Sequence, residues 1–182
     1  MALGATIHHF EVALSDVDRG VYETLDLRVA QHPSETTRFL LTRTLAYCLA
    51  YEEGIAFSKG GISSTDEPPI SIRDRTGLLL AWIDVGTPAA DRLHKAAKAA
   101  RRVLVFTSAD LATLRREAAS RTIHRAAEIE VHRLDPAFLD ALAARLGRSA
   151  KIELTHTAGQ LYVTTAGATL EGSVERAPLV DP

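Results

Sequence analysis

Asp84 is the residue whose type and setting point most directly to chemistry. It follows the apolar run Leu80-Ala81-Trp82-Ile83, and a carboxylate at the end of a buried strand needs a hydrogen-bonding loop, a counter-ion or a metal to offset its lost hydration. Two readings stay open at this level. Either Asp84 hydrogen-bonds the loop that follows, or, with a second carboxylate, it holds Mg²⁺ or Mn²⁺ beside a phosphodiester and lowers the pKa of an attacking water. Just downstream, from Asp91 to Arg125, nine Lys and Arg face only three Asp and Glu, a local balance of +6 in a chain whose formal total is −2. A solvated helix face explains such a run, and so does a groove for nucleic-acid phosphates.

Other chemistries have less support. The sequence has no G-x-x-x-x-G-K-[ST] loop, no G-x-G-x-x-G after a strand and no G-x-S-x-G elbow, which removes the motif basis for nucleotide-dependent and serine-hydrolase activities. The seven His are dispersed, and the neighbours His8 and His9 fall in a strand-like segment, so their side chains point to opposite faces. Cys48, the single cysteine, sits among apolar helix positions and reads as a buried structural thiol.

The elements that must position Asp84 follow from periodicity. Residues 5–14 and 22–30 alternate in polarity around the turn Ser15–Gly20 and predict an antiparallel hairpin. Ser34 is placed to cap a helix over about 34–53, with Glu35 in its first turn and Gly54 at its end. Short strands are expected at 55–57 and 70–73, and the nearly continuous apolar run 78–85 predicts a strand buried on both faces. Thr87-Pro88 should open a helix to about 100, followed by a strand at 102–107 and a helix over 109–119 capped by Ser108. A strand over 128–134, a helix from Asp135-Pro136 to near Gly147, and a hairpin of 151–157 with 160–165 around Ala158-Gly159 complete the pattern. This order predicts an α/β fold with a mixed sheet flanked by helices. One domain over residues 1–176 and a loose tail over 177–182 are expected.

Composition narrows the class. A chain of 182 residues with 46% hydrophobic side chains can fill a core without disulfides or a structural metal. No apolar stretch approaches the roughly 18–20 residues that span a bilayer, and one cysteine agrees with a reducing compartment, so a cytoplasmic location without membrane contact is expected.

Several motifs in one order then carry a resemblance: H-P-S-E at 32–35, E-P at 67–68, W-I-D-V-G-x-P at 82–88, R-L-H-K-A at 92–96, and the opening MALGATI. Together they resemble the YaeQ proteins of bacteria, over nearly the whole chain. The resemblance implies a variation of the PD-(D/E)XK, or restriction-endonuclease-like, nuclease fold, with a biochemical role that is poorly established. By the same resemblance, Glu35 matches the helix acid and Asp84 the second strand acid, with Glu35, Asp84 and the Val85 carbonyl as metal ligands. The first strand acid is replaced, because Glu67-Pro68 is followed by Pro69, which has no side-chain ligand. Asp66, Glu67 or Asp74 would need backbone rearrangement to substitute. The lysine expected two residues after Asp84 is Gly86, and Lys95, one helical turn beyond Arg92, resembles a migrated lysine that would stabilise phosphate charge with Arg92. The resulting expectation is a Mg²⁺- or Mn²⁺-dependent phosphodiesterase site weakened at Pro69. Its alternative is a non-catalytic regulator that binds nucleic acid, through the basic stretch 91–125, or protein.

Overall fold

The computed structural model describes residues 4–181; Met1–Leu3 of the opening motif and Pro182 of the expected tail lie outside the described residues. The chain runs through β1 (Thr6–Asp16), β2 (Val21–Gln31), α1 (Thr37–Leu49), β3 (Ile55–Phe57), β4 (Ile70–Arg73), β5 (Leu79–Val85), α2 (Ala90–Ala99), β6 (Arg102–Thr107), α3 (Leu111–Ala118), β7 (Glu130–Leu134), α4 (Pro136–Ala143), β8 (Ser149–Thr157), β9 (Gln160–Thr165) and β10 (Ala168–Pro178). Parallel and antiparallel strand pairings together with four α-helices make this an α/β protein. The residues fall into two compact units, one comprising the chain up to Leu49 with Leu134–Val174, the other Ala50–Arg133 with the chain from Glu175 on. Strand β10 therefore begins in the first unit and ends in the second.

In the first unit the strand order is β2-β1-β8-β9-β10. The hairpin β1–β2 keeps one register over its full length, pairing Phe10 with Leu27 and Val12 with Leu25. Period-two alternation sends these side chains to the covered face, where Leu40, Leu41, Leu45, Phe138, Leu139 and Leu142 of α1 and α4 are also buried. Strand β1 pairs in parallel with β8, and β9 joins β8 and β10 in antiparallel fashion. The turns Ala158-Gly159 and Ala166-Gly167 both place two successive residues at positive φ, the backbone of a type I′ hairpin. The second of these turns leads into β10, a strand that the sequence pattern does not predict.

In the second unit β5, β6 and β7 are parallel, with α2 and α3 as crossovers, and β4 and β3 continue antiparallel from β5. The core holds Trp82, Val103, Val105 and Val131 from the strands, with Leu93, Ala96, Ala97 and Leu114 from the helices. Small side chains on α2 let its backbone lie close to the sheet. All residues of β5 from Ala81 to Val85 are buried, as its continuous apolar run implies.

Helix starts differ from expectation for identifiable reasons. Ser34 Oγ bonds His32 Nδ1 at 2.7 Å, so the cap of α1 passes to Thr36, whose Oγ1 accepts from Phe39 N–H at 3.1 Å. Gly86, at φ 87°, turns the chain after β5, and α2 begins only at Ala90, after Pro88 rather than at it. Thr107 Oγ1 accepts from Ala109 N–H, which delays α3 to Leu111. Asp135 does cap α4, accepting from Ala137 N–H at 3.0 Å.

Residues 177–181 are anchored rather than loose. Leu179 is fully buried in the core of the second unit and its N–H donates to Ile129 O at 2.9 Å, while Arg115 donates to the carbonyls of Pro178 and Leu179 and pairs with Asp181. Replacing Leu179 by Ala is expected to lower stability by about 3 kcal/mol, seen as a reduced urea midpoint; an unchanged midpoint would return these residues to the status of a tail.

Candidate functional site at the end of strand β5

Asp84 is 2% exposed. Period two puts it on the same face of β5 as Trp82, whose indole Nε1–H donates to Asp84 Oδ2 at 2.8 Å. The other oxygen, Oδ1, accepts from Arg92 Nε at 2.8 Å. Arg92 reaches it because the turn at Gly86 brings α2 back beside β5, with the guanidinium also over the Trp82 ring, 5.4 Å from its centroid. Such stacking suits a planar, weakly hydrated cation. Burial pushes the Asp84 carboxyl above the usual carboxylate range, opposed by the Arg92 charge and the two hydrogen bonds.

Arg92 also closes a loop. Its remaining nitrogens donate to Thr65 O at 3.0 Å and Glu67 O at 2.9 Å. One turn further along α2, Lys95 Nζ pairs with Asp66 at 2.6 Å, and this ammonium holds the exposed Asp66 carboxyl below its usual range. Glu67 in turn accepts from Ser58 Oγ, and Ser58 N–H donates to Pro69 O. The segment before β4 is thus fastened to α2 by two cations. Asp74 is committed elsewhere: its Oδ1 accepts from Thr76 N–H and Oγ1 and from Leu78 N–H, shaping the turn into β5.

The structure therefore brings Asp84 and Arg92 into contact and seats Lys95 on Asp66 rather than Asp84. Val85 is buried in β5 and paired in register with Phe106. Glu35, in the first unit, precedes α1 instead of lying in it and has its own complement. Its side chain is fully enclosed, with Oε1 accepting from Arg43 Nε and Oε2 from Arg43 Nη2 and His32 N–H, each at 3.1 Å. Arg43 also donates to Ala30 O at 2.7 Å, tying α1 to β2.

These donors do not fit a resident Mg²⁺ or Mn²⁺ ion. Both oxygens of Glu35 and both of Asp84 already accept hydrogen bonds, and a dication at either carboxylate would sit against a guanidinium at contact distance, where like charges repel strongly. Pro69 offers no side-chain ligand, and among the described residues no group of three or more His, Cys, Asp or Glu is arranged to hold a metal.

The basic stretch also changes character in space. Arg92, Lys95, Arg102, Arg115, Arg121 and Arg125 pair with Asp84, Asp66, Glu52, Asp181, Asp91 and Glu128. Among the described residues only Lys98, Arg101 and Arg116 of the nine lack an acidic partner. Cys48 is buried, and desolvation pushes its thiol up to about 12, in keeping with an inert packing role. One polar cluster escapes a reading of the sequence. In the first unit Asp16, wholly buried, accepts from Arg19 Nε at 2.7 Å and bonds His156 Nδ1 at 3.0 Å, while Asp18 receives the N–H groups of Ala158 and Gly159. Asp16 and Asp18 read as ordinary turn residues because their partner His156 is 140 residues away from Asp16 in sequence.

Replacing Arg92 by Met keeps a long apolar stem but leaves Asp84 buried without its cation. The expected cost is about 3 kcal/mol, measured by urea denaturation, with faster proteolysis in the segment around residue 65. A loss below about 1 kcal/mol, the range of an exposed pair, would show that the ion pair is not structural.

The family model described as YaeQ protein matches residues 1–174. A relative from Salmonella typhi is 31% identical over 173 residues, 94% of each chain, and one from Escherichia coli K12 is 38% identical over 108 residues, 59% of each chain; both are described as uncharacterized protein YaeQ. The match therefore spans about three-fifths of the E. coli relative's length. Crystal structures of YaeQ proteins from Pseudomonas syringae and Xanthomonas axonopodis pv. citri are each 30% identical and superpose with TM-scores of 0.83 and 0.86, covering 94% and 96% of this chain and 95% and 98% of theirs. The motifs around Trp82-Ile83-Asp84, the family model and the solved relatives converge: this chain belongs to the YaeQ family.

Proposed function

We propose that this chain acts by binding, as a non-catalytic regulator, and that its PD-(D/E)XK-type site is a degenerate one in which an ion pair has taken the place of the metal. The observation that carries this reading is the double engagement of Asp84, whose two oxygens are held by Arg92 and Trp82. A nuclease carboxylate must instead turn an oxygen toward a metal that activates water. The nuclease-like ancestry itself rests on an acid at the end of a central strand, beside a helix carrying Arg92 and Lys95. Cytoplasmic residence belongs to the same proposal, supported by the lone buried thiol of Cys48; among the described residues no helix is long and apolar enough to cross a membrane.

A protein partner suits the surface better than nucleic acid, because six of the nine cations in the basic stretch are already neutralised. If nucleic acid binds at all through Lys98, Arg101 and Arg116, three phosphate contacts give a slope of log K against log salt no steeper than about −3. A slope near about −8 would contradict the pairing described for this face. For catalysis, single- and double-stranded DNA and RNA incubated with Mg²⁺ or Mn²⁺ should remain intact in the presence of the protein. Metal-dependent cleavage that disappears in Lys95→Ala, a change confined to an exposed pair, would overturn the non-catalytic reading.

A further inference from the structure

Strand β2 is the terminal strand of the first unit's sheet, with β1 on one side and, among the described residues, no strand on the other. It is 11 residues long, and its register with β1 runs unbroken from Val21 to Gln31. It contains no proline and no bulge. Exposed edges of this length are normally blunted by proline, a bulge or inward-pointing charge, because their unpaired N–H and C=O groups template further strands. At the other end of the second unit's strand order, β3 has three residues, short enough to be protected.

The side chains of this edge carry a pattern. Tyr22, Thr24, Asp26, Arg28 and Ala30 all lie exposed on the outer face, Tyr22 at 63%. Asp26 faces Glu11 in register across β1–β2 and bonds diagonally to the ring Nε2 of His9. Arg28 faces His9 in register and forms no ion pair among the described residues. The carbonyl of Ala30 accepts from Arg43 and so is turned away from β1. Since N–H and C=O of one residue point to the same side of an antiparallel strand, the even-numbered residues of β2 present their backbone groups to the open edge.

We propose that this edge is the site at which a second copy of the chain adds its own β2, antiparallel and about a two-fold axis through Leu27. In that register Asp26 of one protomer lies opposite Arg28 of its partner, twice by symmetry, while the Ala30 carbonyl stays with Arg43 and the new pairing is confined to the middle of the strand. The unpaired Arg28 gains an anion, and the backbone groups still free on both edges are paired at once. Pairing about Asp26 would set the two Asp26 carboxylates against each other, so charge selects the first register. Isologous symmetry closes the assembly as a dimer, and no fibre can grow from it because each edge is used once.

Sedimentation equilibrium across the micromolar range tests this directly. Wild type is expected to show a monomer–dimer equilibrium. Arg28→Asp alone, and Asp26→Arg alone, each convert two attractive cross-strand pairs into two repulsive ones and should weaken dimerisation roughly tenfold or more. In an equimolar mixture, the chain carrying Asp26→Arg presents arginine at both positions and the chain carrying Arg28→Asp presents aspartate at both. Each cross-strand pair is then attractive again, and the mixture should recover the dimer as a heterodimer; circular dichroism of each variant establishes that it is folded. A wild type that stays monomeric, single variants that dimerise as tightly as wild type, or a mixture that fails to recover association would each overturn the proposal.

Discussion

The burial of one negative charge governs the architecture around β5. A carboxylate enclosed in the middle of an apolar unit is tolerated only when its lost hydration is replaced, and Asp84 obtains that replacement from Trp82 on its own strand and Arg92 on the next helix. Arg92 can serve only if α2 returns alongside β5 immediately, which the positive φ of Gly86 permits. Once there, the guanidinium has donors to spare, and these fix the carbonyls of the segment preceding β4. Strand, turn, helix and loop are thus coupled through a single guanidinium.

The same logic governs the first unit. Glu35 is enclosed with Arg43, and Arg43 also donates to the carbonyl of Ala30. Asp16 is enclosed with Arg19 and His156. In each case a buried acid ties two elements by recruiting a side chain with several donors. Glu35, Asp84 and Asp16 each hold two elements together through the hydrogen bonds they accept.

Much of the fold is legible in the sequence because the strongest signals are periodic and local. The β1–β2 hairpin, the doubly buried β5, the short β3, β4 and β6, and the Asp135 cap all follow from alternation, unbroken apolar runs or cap chemistry. Helix starts are less legible, because Ser34, Thr87 and Ser108 each have a plausible cap chemistry that a neighbouring bond or turn displaces. Strand β10 escapes notice although Ala166-Gly167 repeats the turn chemistry of Ala158-Gly159; its flanks carry few large apolar residues, so periodicity alone says little. At the site, the sequence identifies Asp84 and its need for compensation, and leaves cap or counter-ion against metal open. The fold adds what no local pattern reveals, that Arg92 sits on Asp84 and Lys95 on Asp66. Charge is the least legible property: a stretch that sums to +6 in sequence is largely neutralised by its spatial neighbours, some of which, such as Glu52 and Asp181, lie outside it.

Asp84 is held by Arg92 and Trp82, and in the non-catalytic reading proposed above no metal displaces them. The most direct measurement is the NMR spectrum of the Arg92 Nε–H and Trp82 Nε1–H groups during titration with Mg²⁺ to millimolar concentration. Both signals should remain in place, because neither hydrogen bond is broken. A saturable shift of both, absent from a control titration with a monovalent salt at equal ionic strength, would mean that the metal displaces them and would contradict the account.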